Sequence, residues 1–108
     1  MKQNYTLMGG KAWCCFSVFY SRKAWGSLLT EVVSFYREFQ SLFHYFVAYF
    51  SEQQGEHIKV TFSFDIENMV EIQERVDTHF LLFLNQNPSV HPHPFPFGDD
   101  LWCFYPNT

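Results

Sequence analysis

A chain of 108 residues has the length of one domain, and a domain of that size buries roughly 65% of its unfolded surface, so its core requires no disulfide staples. Seven Lys+Arg stand against eleven Asp+Glu, a formal charge of −4 that argues against electrostatic capture of nucleic acid or anionic lipid. Fourteen Phe in a composition that is 21% aromatic point to a bulky aromatic core or to an apolar surface meant for a partner.

The first eleven residues read as an N-terminal tail. They lack the apolar stretch of a secretory signal, and nowhere does the chain approach the roughly 20 apolar residues of a membrane span, so a cytoplasmic protein without membrane contact is expected. Ala12 to Tyr20 is rich in aromatic and β-branched residues and predicts a first strand. Cys14 and Cys15 lie within it and should point to opposite faces. With Cys103 they leave an odd thiol under any intramolecular pairing, which favours reduced thiols acting as small apolar fillers. From Ser21 a helical pattern begins, with Trp25, Leu28, Leu29, Val32, Tyr36 and Phe39 on one face and Glu31, Arg37 and Glu38 mostly on the other.

Leu42 to Phe50 is apolar on both faces, and its length and aromatic content favour a strand, central in the sheet, over continuation of the helix. Residues 51–55 carry turn chemistry. Glu56 to Phe64 then alternates, with Ile58, Val60, Phe62 and Phe64 to one side and His57, Lys59, Thr61 and Ser63 to the other, which predicts a β-hairpin with one buried face. Asp65 is an expected N-cap for a second helix whose stripe is Met69, Ile72, Val76, Phe80 and Phe83. From Asn85 to Asp100 repeated prolines forbid helix and central strand and favour an extended arm. A short closing strand, Leu101 to Tyr105, ends the pattern. The order is βαββαβ, the split-βαβ or ferredoxin-like α+β arrangement, an antiparallel sheet with two helices on one face, as a single domain over 1–108 with its βαββα core in 12–84.

Strong catalytic signatures do not occur: there is no nucleophile elbow, phosphate-cradling glycine loop or paired-cysteine metal knuckle. His91 and His93 alternate in an extended segment and so point apart, His44 and His57 sit at unequal distances from the turn, and Glu67, Glu71, Glu74 and Asp77 read as a solvated helix face. No metal and no cofactor are therefore expected. The polar row His57, Lys59 and Thr61 is the candidate surface for an anion or a peptide carboxylate, against the alternative of a solvated sheet face. Phe95, Phe97 and Trp102 are the candidate apolar anchors for a partner.

Residues 43–50 followed by residues 55–62 resemble the core hairpin of the thiopeptide-type bacteriocin biosynthesis domain, the C-terminal domain of lantibiotic dehydratases. In that family an aromatic strand ending in Phe-Ile-Arg-Tyr leads through a Gly-containing turn into His-Leu-Arg-Leu-Arg-Phe. The Ala12-Trp13 strand, the helix from Trp25 to Phe39 and the Asp100 to Pro106 stretch are similar to other parts of the domain. Gly55, His57, Lys59 and Tyr49 carry over, whereas Ala48, Lys59 and Thr61 stand where the family has arginines. Ala and Thr cannot replace Arg in bidentate anion binding. The resemblance thus implies a reduced relative that has lost elimination chemistry. It would serve as an accessory or recognition subunit in the biosynthesis of a ribosomally made, modified peptide, with a larger peptide-modifying enzyme or a second copy of itself as protein partner and a peptide as candidate substrate. Two other readings stand beside it. One is a dimeric α+β-barrel protein, two sheets packed face to face around a small hydrophobic substrate; the other is a small interaction or inhibitor protein.

Overall fold

Period-two patterning decides the centre of the molecule. The computed structural model describes residues 5–52 and 56–87 in full and residues 102–104 through their backbone. In chain order the elements are β1 (Tyr5–Met8), β2 (Lys11–Phe19), α1 (Trp25–Phe39), β3 (Phe43–Ser51), β4 (His57–Asp65), α2 (Met69–Gln86) and β5 (Trp102–Phe104). A single 3-10 turn leads into each helix. In β2 the side chains of Ala12, Cys14, Phe16 and Val18, and in β4 those of Ile58, Val60, Phe62 and Phe64, all point to one face and are buried. Against that face lie Leu28, Val32, Phe35 and Phe39 of α1 and Ile72, Val76, Phe80, Phe83 and Leu84 of α2, forming one continuous core. Each fully buried Phe or Leu contributes on the order of 1.5–3 kcal/mol through removal of apolar surface from water.

Four strands form an antiparallel sheet in the order β1-β2-β4-β3. With α1 linking β2 to β3 and β4 inserted between them, this is the α+β, ferredoxin-like split-βαβ arrangement that the residue pattern predicts. The closing strand β5 differs in direction from a simple antiparallel meander. It pairs parallel to β2 over Phe16–Val18, while β1 occupies the other half of the same β2 edge.

Several boundaries and roles differ from the sequence-based expectation. Within the expected tail, Tyr5–Met8 forms a strand. Gly9 and Gly10 both take positive φ, 61° and 79°, and such a two-residue turn matches the twist of the strands it joins. The aromatic strand β3 is a strand as expected, but it lies at the edge of the sheet rather than in its centre. Asp65 precedes the second helical segment without capping it by a side-chain hydrogen bond, because its carboxylate is held 2.9 Å from His44 Nε2. In α1 the stripe is rotated: Phe35 is fully buried, whereas Leu29 and Tyr36 lie at the surface. The Pro-rich arm, with Phe95 and Phe97, lies outside the described residues, as does the side chain of Trp102. No helix among the described residues is long and apolar enough to cross a membrane.

Candidate functional site

The helices cover only one face of the sheet, and the opposite face carries the residues that the sequence singles out. Alternation along β4 directs His57, Lys59, Thr61 and Ser63 away from the core, and the register places each between a residue of β2 and one of β3. Four cross-strand rows result. Phe19, His57 and Ser51 form one; Ser17, Lys59 and Tyr49 the next; Cys15, Thr61 and Val47 the third; Trp13, Ser63 and Tyr45 the last. All four predicted peptide- or anion-binding residues, His57, Lys59, Thr61 and Tyr49, therefore share one face, with Lys59 and Tyr49 directly paired.

Their exposure separates them. Tyr49 is 44% exposed, whereas His57 is buried with its ring 4.6 Å, centroid to centroid, from that of Phe19. Lys59 and Thr61 are half-buried, and the Thr61 hydroxyl donates to Cys15 Sγ at 3.5 Å. A solvated face is thus too simple a description of this row. At its far end the Trp13 and Tyr45 rings meet at 5.4 Å across the intervening strand, and Ser63 lies buried between them in register. The hydroxyls of Ser17 and Ser63 have no hydrogen-bond partner among the described residues. The outcome is a cation flanked by a phenol and a hydroxyl, bordered by indole and phenol rings. Such a surface can bind a carboxylate while packing against apolar side chains.

Cys14 and Cys15 do point to opposite faces. Burial, with Gln73 offsetting part of the effect and neighbouring Cys15 adding to it, pushes the Cys14 thiol up to about 12, so that it behaves as a protonated apolar filler. Burial likewise raises the Tyr20 phenol, which donates to the Asn87 carbonyl and ties the end of β2 to the end of α2. No group of three or more ligating side chains suited to a metal ion comes together among the described residues.

A second polar cluster was not foreseen from the sequence. On the flank where the two helices meet, His79 Nδ1 lies 2.5 Å from Glu31 Oε2 and its Nε2 lies 2.7 Å from Glu38 Oε2. Arg75 grips Glu38 through Nε at 2.7 Å and a second guanidinium nitrogen at 3.3 Å. Arg75 and His79 are one helical turn apart, and Glu31 and Glu38 two turns apart, so each pair projects from one flank of its helix. The sequence offers opposite charges on the polar flanks of two helices, but it does not say which flanks adjoin. An adjacent cavity of about 230 Å³ is bordered by Thr78, Leu82 and Gln86. Because both ring nitrogens of His79 are engaged by carboxylates and its edge packs on Phe35, the cluster clamps the helices together rather than presenting a free base.

The third feature is a groove of about 350 Å³ between α1 and β3, lined by Leu29, Val33, Tyr36, Phe43, Phe46 and Ala48 among others. No family model, no curated protein and no solved structure matches the chain.

Proposed function

We propose that the chain is a small recognition subunit that binds a peptide at the Lys59–Tyr49 side of the sheet face turned away from its helices, as an accessory to a larger enzyme in the biosynthesis of a ribosomally made, modified peptide. The binding role rests on one observation: Lys59 sits between Ser17 and Tyr49 on a face that no described helix covers, with the rings of Trp13 and Tyr45 beyond it. A cation with neighbouring hydroxyls suits a peptide carboxylate, and the exposed Tyr45 ring beside the half-buried Trp13 suits the apolar side chains around it. The biosynthetic setting is supported by the hairpin of β3 and β4, whose sequence resembles the core hairpin of the lantibiotic dehydratase C-terminal domain. Lys59 in place of an arginine fits binding better than elimination, since a single ammonium lacks the fork that orients a carboxylate in a reaction.

Displayed random peptides with free or amidated C-termini provide the test, panned against the purified chain and against Lys59→Met and Tyr49→Ala. Carboxylate-bearing peptides should be enriched, and loss of the charged hydrogen bond in Lys59→Met should weaken them about tenfold or more. No enrichment, or enrichment indifferent to both substitutions, would remove the open face from consideration.

A further inference from the structure

The outer strand β3 is built unlike a guarded sheet edge. Sheet edges left open to solvent are ordinarily protected by Lys, Pro, short length or irregularity, because their free backbone donors and acceptors otherwise template pairing with another strand. From Phe43 to Ser51 this strand runs for nine residues without Lys, Arg, Asp, Glu or Pro. Its one irregularity, the register shift between Phe43 and Tyr45, leaves the stretch from Tyr45 onward regularly paired to β4. Beyond β3 the sheet has no further strand among the described residues. Tyr45, Tyr49 and Phe50 are each between 44% and 49% exposed. Beside this edge, Leu29, Val33 and Tyr36 form an exposed apolar stripe along α1 at three- and four-residue spacing and border the groove.

We propose that a second copy of the chain occupies this edge, with β3 pairing antiparallel to β3 of the other copy about a two-fold axis at Val47. The residue sizes fit that register. Val47 would face Val47 of the second copy on the axis, while Tyr45 would face Tyr49 and the large Phe46 would face the small Ala48, these two contacts each occurring twice by symmetry. Antiparallel partners share a face, and so do these: Tyr45, Val47 and Tyr49 lie on the open face, Phe46 and Ala48 on the helix face. Charge also permits the approach. The chain carries a net −4, yet the only imidazole or formally charged group on β3 is His44, which is engaged by Asp65, while Glu31 and Glu38 on α1 are turned toward His79 and Arg75 of α2. The seam therefore brings no like charges together. The two α1 stripes would flank it, and the two open faces would join into one platform twice as wide. This association does not depend on the peptide-binding reading and leaves Lys59 accessible.

Sedimentation equilibrium of the full chain decides the matter. A dimer is expected, with Val33→Glu weakening association at least tenfold and Thr61→Arg, at the middle of the open face, leaving it unchanged. A monomeric wild type would overturn the proposal. So would a dimer that resists Val33→Glu and is lost in Thr61→Arg, since that pattern belongs to face-to-face packing of two sheets. Val47→Cys guards against a folding defect in the charged variants. Lying on the axis, it should give a disulfide-linked dimer under mild oxidation, while Leu81→Cys on α2 should not; equal cross-linking at both positions, or none at Val47→Cys, would also count against it.

Discussion

His79 contributes to the fold through the number of donors it can supply. An imidazolium donates to both Glu31 and Glu38, whereas a neutral ring satisfies only one of them. The Arg75 hydrogen bond lowers the Glu38 carboxyl most, burial opposes it, and His79 adds a smaller lowering, so that the group lies below the usual carboxylate range. Arg75 is correspondingly raised by Glu38. Because the folded-state value of Glu38 is lowered, its stabilising contribution is fully present above the ordinary carboxylate range of about 4.3 and is lost as pH falls through the lowered value. Solvent screening at this half-exposed position keeps the effect modest. Urea midpoints followed from neutral pH into that acid window should fall in the wild type. Glu38→Gln should begin lower and fall less; an acid limb unaltered by the substitution would mean that the pair contributes nothing. None of these contacts was visible in the sequence, which places Glu31 and Glu38 only on the face of α1 opposite its apolar stripe, because the charges become partners only once two helices lie side by side.

At the scale of the elements, the turn at Gly9-Gly10 shows what a local signal can carry. Both residues take the left-handed conformation that costs other L-residues roughly 1–2 kcal/mol, and together they fold Tyr5–Met8 back onto Lys11–Cys14. Gly10→Ala is expected to destabilise this hairpin by about 1 kcal/mol through backbone strain, since an added Cβ meets no neighbouring atom. Amide hydrogen exchange should then quicken in β1 while that of β4 stays slow; equal acceleration in both strands would place the loss in the core instead. The Gly-Gly pair was legible as a hairpin turn, and only the weak strand character of Tyr5–Met8 concealed it. The strand β4 and the stripe of α2 followed from period, because a buried face imposes its alternation on the residues that make it, whereas β2 followed from its aromatic and β-branched content. Asp65 illustrates the opposite case. Its suitability as a cap was genuine, but a histidine brought beside it by the β3 register took the carboxylate.

For the molecule as a whole, Phe35 is the joint between layers. Its ring packs against those of Phe16 and Phe62 on the central strands, Phe43 and Phe46 on the edge strand, and Phe80 on α2. Phe35→Ala leaves a cavity that touches rings of both the sheet and α2 and should cost about 3–5 kcal/mol, a large part of a typical domain's total stability. Leu81→Ala, on the exposed flank of α2, should cost well under about 1 kcal/mol in the same denaturation experiment. Similar losses for both would mean that the aromatic cluster is less tightly packed than its ring contacts imply. Much of the aromatic excess is thus accounted for by the core, and the remaining exposed rings concentrate on β3 and the open face. The sequence by itself determined the order of the elements from β2 onward, the inward faces of β4 and α2, and the common face of His57, Lys59 and Thr61, because these depend on periods of two and about 3.6 that neighbouring residues set for themselves. Only the tertiary structure decided that β3 is an edge, that His57 is buried against Phe19, that Phe35 joins the layers, and that Glu31, Glu38, Arg75 and His79 meet, since each of these depends on which segments distant in the chain come to lie next to one another.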